Sequence, residues 1–283
     1  LQAKQEQERV IKMNMLPKEK TQPKTDIRDL VTLIYGPPKI GKSTFCSQAD
    51  GALFLATEAG LNHLEVFQIP IASWQEFLAA CSEIAKGGHE FRTICIDTID
   101  NLYKFCVDHV LRKHNISHQS DLEYGKGWDL VNTEFQRRLT ALSLLPYGLI
   151  MTSHSTEKEV KTRTGKETRI APTMANSARK TVLGMCDLIL YAEMNEVQDG
   201  EGVITGYNRV VHTKPTTIYE AGDRTGRLPE TLPLDYAAFA AAIAGKPATT
   251  QQESKAQPAA TAATTTTPKP KQESKQESKQ EAN

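Results

Sequence analysis

The chain has 283 residues, 39% of them hydrophobic, and equal numbers of acidic and basic side chains, 34 of each. Zero net charge excludes recruitment of nucleic acid by whole-molecule attraction, so any such role must rest on a local basic patch. Five cysteines (Cys46, Cys81, Cys95, Cys106 and Cys186), odd in number and without a C-x-x-C pair, argue against a disulfide framework; with no apolar run near the roughly 18 residues that span a bilayer and no signal-peptide core, a cytoplasmic protein outside the membrane is expected.

Residues 1–28 are rich in Lys, Gln and Glu and nearly free of large apolar groups, a composition that predicts a flexible arm. The apolar run from Leu30 to Tyr35 predicts a buried strand. Directly behind it, Gly36-Pro37-Pro38-Lys39-Ile40-Gly41-Lys42-Ser43-Thr44 matches the G-x-x-x-x-G-K-[ST] pattern. Backbone N–H groups of such a loop wrap phosphates, the lysine neutralises terminal charge and the hydroxyl binds Mg²⁺, so ATP and Mg²⁺ are the expected ligands. Pro37 and Pro38 stiffen the loop but offer it no N–H. A helix should start near Gly41.

Ala52 to Ala56 predicts a second strand, with Glu58 just past its end, either as a general base that orients water or as a solvated loop carboxylate. Trp74, Phe77, Leu78, Cys81 and Ile84 then share one helical face. Thr93 to Asp97 is an apolar strand that closes on a carboxylate 55 residues after Lys42. Asp97 is expected to hold Mg²⁺ through water opposite Ser43, and could also cap the helix from Thr98. Asp100 is read as a helix-start carboxylate without chemistry. Ile99, Leu102, Tyr103, Cys106 and Val110 form the apolar face of this helix; Trp128, Val131, Phe135, Leu139 and Leu142 form that of the next. His109, His114 and His118, spaced by five and four, do not fall on one helix face, so no zinc cluster is expected.

A strand from Tyr147 to Ser153 ends at His154, on its own merely a polar residue at a strand end. Ser155 to Lys180 then carries seven cations against three carboxylates. Its Thr162-Arg-Thr-Gly165-Lys centre reads as a hairpin turn, so Lys161, Arg163, Lys166 and Arg169 should project from the body. This is either a salt-sensitive, sequence-independent contact to a nucleic acid backbone or an ordinary solvated hairpin, and it lacks aromatic residues for base stacking. Strands at Asp187 to Ala192 and Arg209 to Thr213 follow, the second ending at Lys214, and a turn near Arg224 and Arg227 comes after. From about Gly245 to Asn283 no aliphatic residue exceeds alanine and Lys-Gln-Glu-Ser recurs, which predicts a disordered tail, a solubilising extension or a partner tether. The folded body is 29–244. Its alternation of strands apolar on both faces with amphipathic helices implies an α/β fold, a mainly parallel central sheet flanked by helices, with ligands at the C-terminal strand ends.

The succession of loop, Glu58, Asp97 and His154 at strand ends resembles the RecA-like P-loop ATPases, and from Leu30 to about Pro233 the chain is similar to the phage-type members of the single-strand annealing and recombination group. The resemblance implies Glu58 as the catalytic base, His154 as a sensor of the terminal phosphate, and the basic hairpin as the segment facing single-stranded DNA. It also implies a homo-oligomer in which Lys214 and Arg224 reach into a neighbour's ATP site, DNA-stimulated ATPase activity, help from a single-strand-binding protein, and the host cytoplasm as the place of action. The chain departs from bacterial RecA in its short leading arm and in lacking a recognisable C-terminal DNA-binding domain. A nucleotide-gated regulator or helicase-loader-like protein with little turnover is the alternative.

Overall fold

A computed structural model describes residues 19–161 and 165–245, the side chains of residues 160 and 161 excepted. The leading arm up to residue 18, Arg163, the Lys161 side chain and the tail from residue 246 therefore lie outside the described residues. Ten strands are present among them: β1 Val31–Gly36, β2 Ala52–Ala56, β3 Phe67–Pro70, β4 Thr93–Asp97, β5 Gly148–Lys161, β6 Lys166–Pro172, β7 Leu188–Gln198, β8 Ile204–His212, β9 Gly222–Asp223 and β10 Thr231–Pro233. The α-helices are α1 Lys42–Ser47, α2 Trp74–Lys86, α3 Ile99–Lys113, α4 Lys126–Ser143, α5 Asn176–Met185 and α6 Tyr236–Ile243.

The main sheet runs β10-β8-β7-β1-β5-β4-β2-β3. From β7 to β3 every pairing is parallel, whereas β8 and β10 continue the sheet antiparallel. Successive side chains of a strand point to opposite faces, and in the central strands both sets are apolar. Leu33, Leu53, Leu55, Ile94, Ile96, Leu149 and Met151 face one core, closed by α2, α3, α4 and α5. Ile34, Phe54, Cys95, Ile150, Leu188, Leu190 and Ala192 face a second, closed by α1 and α6. The result is the α/β architecture expected, a mostly parallel sheet with helices on both faces.

Local chemistry sets the helix ends. The Ser73 hydroxyl accepts from Glu76 N at 3.2 Å and the Glu76 carboxylate accepts from Ala72 N at 2.6 Å, which satisfies exposed donors at the start of α2. Asp235 caps α6 by accepting from Ala238 N at 2.8 Å. At the other end of α6, Arg227 donates to the Ile243 carbonyl at 3.0 Å, where a cation meets unpaired helix carbonyls.

The structure corrects several boundaries. β5 runs on to Lys161 instead of ending at Ser153, because pairing with β6 from Ser155 onward replaces burial as the source of support. β7 and β8 likewise extend past the body as a second hairpin, Tyr191 to Gln198 against Ile204 to His212, where the sequence predicts a strand only from Arg209. β3, β9 and β10 are short and lack an apolar run to announce them. Trp128 does not join Val131 and Phe135 in the core but stays 39% exposed, edge-on to His118.

β1 comes so close to β7 at its end that a Cβ built on Gly36 would lie 2.2 Å from the Ala192 carbonyl oxygen, whereas one on Gly184 in α5 would meet nothing within 4 Å. Gly36→Ala should therefore destabilise the fold by about 1–3 kcal/mol, the usual cost of overpacking. Gly184→Ala should be neutral or stabilising by up to about 1 kcal/mol, since helical glycine carries excess chain entropy. Urea unfolding of the two variants beside the parent measures both.

Candidate functional site

The phosphate loop leaves β1 at Gly36 and enters α1 at Lys42. Buried Ile40 pins it to the core shared with Phe45 and Phe239, while Pro38, Lys39 and Thr44 face solvent. The turn into the helix is made by Gly41 at φ 114°, a left-handed conformation open to glycine at little cost. Lys42 is buried, and its ammonium donates to the carbonyls of Gly36 at 3.0 Å and Pro37 at 2.9 Å. Burial pushes its pKa below the ordinary lysine value, and the carboxylates of Asp97, Glu58 and Asp100 pull it back up. A buried cation resting on carbonyl oxygens, beside the free amides of a helix's first turn, suits a polyanion.

The sequence set Ser43 and Asp97 apart by 54 residues, and the fold brings them together: Ser43 Oγ donates to Asp97 Oδ2 at 2.7 Å. The other carboxylate oxygen, Oδ1, accepts from Thr152 Oγ1 at 2.5 Å. Thr152 stands on β5, which the sheet inserts between the strand of the loop and that of Asp97. Hydroxyl and carboxylate side by side are the oxygen donors Mg²⁺ takes, and their placement next to Lys42 fits Mg²⁺ bound together with a nucleoside triphosphate. The cap of α3 is Thr98, so Asp97 is free of the capping role.

Glu58 is held by a chain of polar contacts. The Thr57 hydroxyl donates to Thr98 O and accepts from Thr98 N, and Thr57 N donates to Asp97 O, so the end of β2 is tied to that of β4. Asn101 Nδ2, on the first turn of α3, donates to Glu58 Oε2 at 3.2 Å, and Lys104 Nζ donates to Asn101 Oδ1 at 3.1 Å. Oε1 of Glu58 lies 3.7 Å from His154 Nε2. His154 is paired in register with Gly36, so the base and sensor candidates stand together on one side of the loop's start.

Asp100 does occupy the first turn of α3, as expected, but it is buried, accepting from Ser153 Oγ at 3.0 Å and His154 N at 3.3 Å. Burial raises its pKa, against those hydrogen bonds and the nearby imidazole, which lower it. It fixes the part of β5 from which His154 projects. Thr57, Asn101 and Thr152 were not singled out by motif, yet Thr152 and Ser153 are hydroxyls inside an apolar run, a signal that each must find a partner.

The remaining site residues lie apart from this cluster. Lys166 pairs with Glu159 at 2.8 Å and Arg169 donates to Thr217 O at 3.2 Å, both on the β5–β6 hairpin. Lys214 pairs at 2.9 Å with Asp223, whose side chain is fully buried and also accepts from Thr225, Gly226 and Leu228 amides. Arg224 donates to Gly184 O at 2.6 Å and stays 58% exposed at its side chain. His109 hydrogen-bonds with Gln75 and His118 with Ser120, and among the described residues no group of three or more His, Cys, Asp and Glu is placed to hold a metal. No helix among them is long and apolar enough to cross a membrane.

Thr152→Val keeps the side-chain shape and removes one hydrogen bond to Asp97. Loss of such an outer contact should weaken Mg²⁺ binding on the order of 10- to 100-fold, read as the Mg²⁺ concentration needed for half-maximal binding of a fluorescent ATP analogue.

Comparison with curated proteins gives no match. A protein-family model, AAA_24, described as an AAA domain, matches residues 28–225, from the turn before β1 through β9 and including the loop, Glu58, Asp97 and His154. With the phosphate loop, the Ser43–Asp97 pair and the parallel sheet in place, the chain belongs to this AAA domain family of P-loop ATPases.

Proposed function

We propose that this protein is a RecA-like ATPase that binds and hydrolyses ATP with Mg²⁺ while acting on single-stranded DNA in phage recombination or strand annealing. The observation that carries the reading is the convergence of Glu58 and His154, 3.7 Å apart, beside the Ser43–Asp97 pair. Lys42 binds terminal phosphate charge, and Ser43 and Asp97 hold the metal. Glu58, oriented by Asn101, positions and deprotonates water, and His154 reports on the phosphate that leaves. Bound Mg²⁺·ATP would supply the phosphoanhydride to be cleaved and the charge that draws these groups together.

The DNA reading is supported by the hairpin's own electrostatics. Lys158 and Arg169 are directly paired in register, so two cations share one face, and like charges so placed destabilise a ribbon left to itself. Burial lowers the Lys158 pKa, and nearby Arg179 lowers it further. A phosphate backbone laid along this face would relieve both effects, while Lys166 belongs to the opposite face, where it pairs with Glu159. In a homo-oligomer Arg224 is the better placed of the two late cations to reach a neighbour, since Lys214 is committed to Asp223. A single-strand-binding protein would supply the DNA in accessible form.

Steady-state phosphate release with and without single-stranded DNA tests the reading. The parent should turn over and be stimulated by DNA. Lys42→Ala should lose both nucleotide binding and turnover, and Glu58→Gln should lose turnover by on the order of 10²-fold or more while still binding ATP. Normal hydrolysis by Glu58→Gln would remove Glu58 from the base role. Tight ATP binding with negligible turnover and no response to DNA would favour a nucleotide-gated regulator.

A further inference from the structure

The far ends of β7 and β8 carry a second feature over the phosphate loop. Ala192 pairs with Val211, Met194 with Arg209 and Glu196 with Tyr207. Residues paired directly share a face, and alternation places all six on the face where Ala192 and Val211 join the core under α1. Beyond that core the face stays open: Met194 is 49% exposed and Tyr207 61%.

Arg209 stands between them and the loop. A Cβ built on Gly41 would lie 3.5 Å from Arg209 Nη1, so the guanidinium hangs directly beside the phosphate loop. Among the described residues its side chain has neither a hydrogen-bond partner nor a carboxylate within ion-pair distance, unlike Arg28, Arg138 or Arg224. Tyr207 is two residues further out, roughly 7 Å along the strand.

The sheet order gives this face a direction. Asp97 stands at the end of β4, Glu58 just past β2 and His154 partway along β5, all on one side of β1; β7 and β8 lie on the other. A nucleotide whose terminal phosphates are drawn to Lys42 and the Ser43–Asp97 pair must run from the loop toward β7 and β8. On that path its α-phosphate would pass Arg209 and its nucleoside would lie over Met194 and Tyr207.

We propose that this outer face of the β7–β8 hairpin is the nucleoside platform of the ATP site, with Tyr207 stacking on the base, Met194 packing beside it and Arg209 binding the phosphate nearest the sugar. The proposal rests on the nucleotide reading of the loop. Stacking is available to every base, so the platform adds affinity for a nucleoside over a bare polyphosphate while discriminating weakly between ATP and GTP. Glu196, opposite Tyr207, keeps phosphate away from that level and confines it to Arg209.

Titration calorimetry with Mg²⁺·ATP, Mg²⁺·GTP and Mg²⁺·tripolyphosphate separates the two readings. The parent should bind both nucleotides well above tripolyphosphate. Tyr207→Ala should weaken both nucleotides by on the order of tenfold or more and leave tripolyphosphate unchanged, whereas Arg209→Ala should weaken all three. Tyr207→Phe should retain nucleotide affinity, and thermal melts should match the parent, because both side chains are exposed. If Tyr207→Ala binds ATP as the parent does, or if the parent binds ATP no better than tripolyphosphate, the platform is wrong. The loop reading still stands in that case if Lys42→Ala abolishes tripolyphosphate binding. A parent that binds none of the three overturns both.

Discussion

Everything around the candidate site depends on the two hydrogen bonds that hold Asp97. Ser43 belongs to the helix behind the loop, Asp97 to β4 and Thr152 to β5, so one carboxylate joins three elements that chain connectivity leaves apart. The carboxylate is buried, and burying a charge is tolerated only when it is hydrogen-bonded and close to opposite charge. Lys42 supplies the charge and two hydroxyls supply the hydrogen bonds. The same donors hold Asp97 beside Ser43, so the demands of folding and of the proposed metal site fall on the same atoms.

The strand order turns this local arrangement into a polarised site. With β5 between β1 and β4, the acid, the base candidate and His154 collect on one side of the loop. The opposite side is built from antiparallel strands that extend past the core, where solvent-facing Met194 and Tyr207 and the guanidinium of Arg209 lie. One side of the loop thus gathers carboxylates and an imidazole, and the other presents exposed side chains and a guanidinium. The β5–β6 hairpin adds a third region of different character, charged and without aromatic residues.

The parts legible in the sequence are those whose physics is local. β2 and β4 begin and end where the sequence predicts, because apolar runs bounded by polar residues describe strands buried on both faces. Gly36, Gly41, Lys42 and Ser43 were legible since a phosphate loop needs those residue types at that spacing. Asp97 and Glu58 were legible as carboxylates at or just past strand ends, whereas His154, read as a strand end, lies within a strand that runs on to Lys161. The charged β5–β6 hairpin was legible from its turn, but the outer halves of β7 and β8 were not, because cross-strand pairing holds them and they carry little hydrophobic pattern. The rest of what escaped depends on partners distant in sequence. Thr152 looks like one more strand residue until β4 is placed beside it, and Arg209 reads as a strand charge until Gly41 is found next to its guanidinium. Asp100 was judged from its place at a helix start, whereas its burial comes from β5.

The most direct test of this account is the ATP affinity of the Asp97→Asn variant measured with Mg²⁺ and again with the metal chelated. The account predicts that the parent binds ATP much more tightly with Mg²⁺. The variant, whose side-chain amide still hydrogen-bonds but carries no charge, should bind ATP equally in both conditions through Lys42 and the loop. A variant whose affinity still rises with Mg²⁺ as the parent's does would contradict the assignment of Asp97 as the carboxylate on which the site is built.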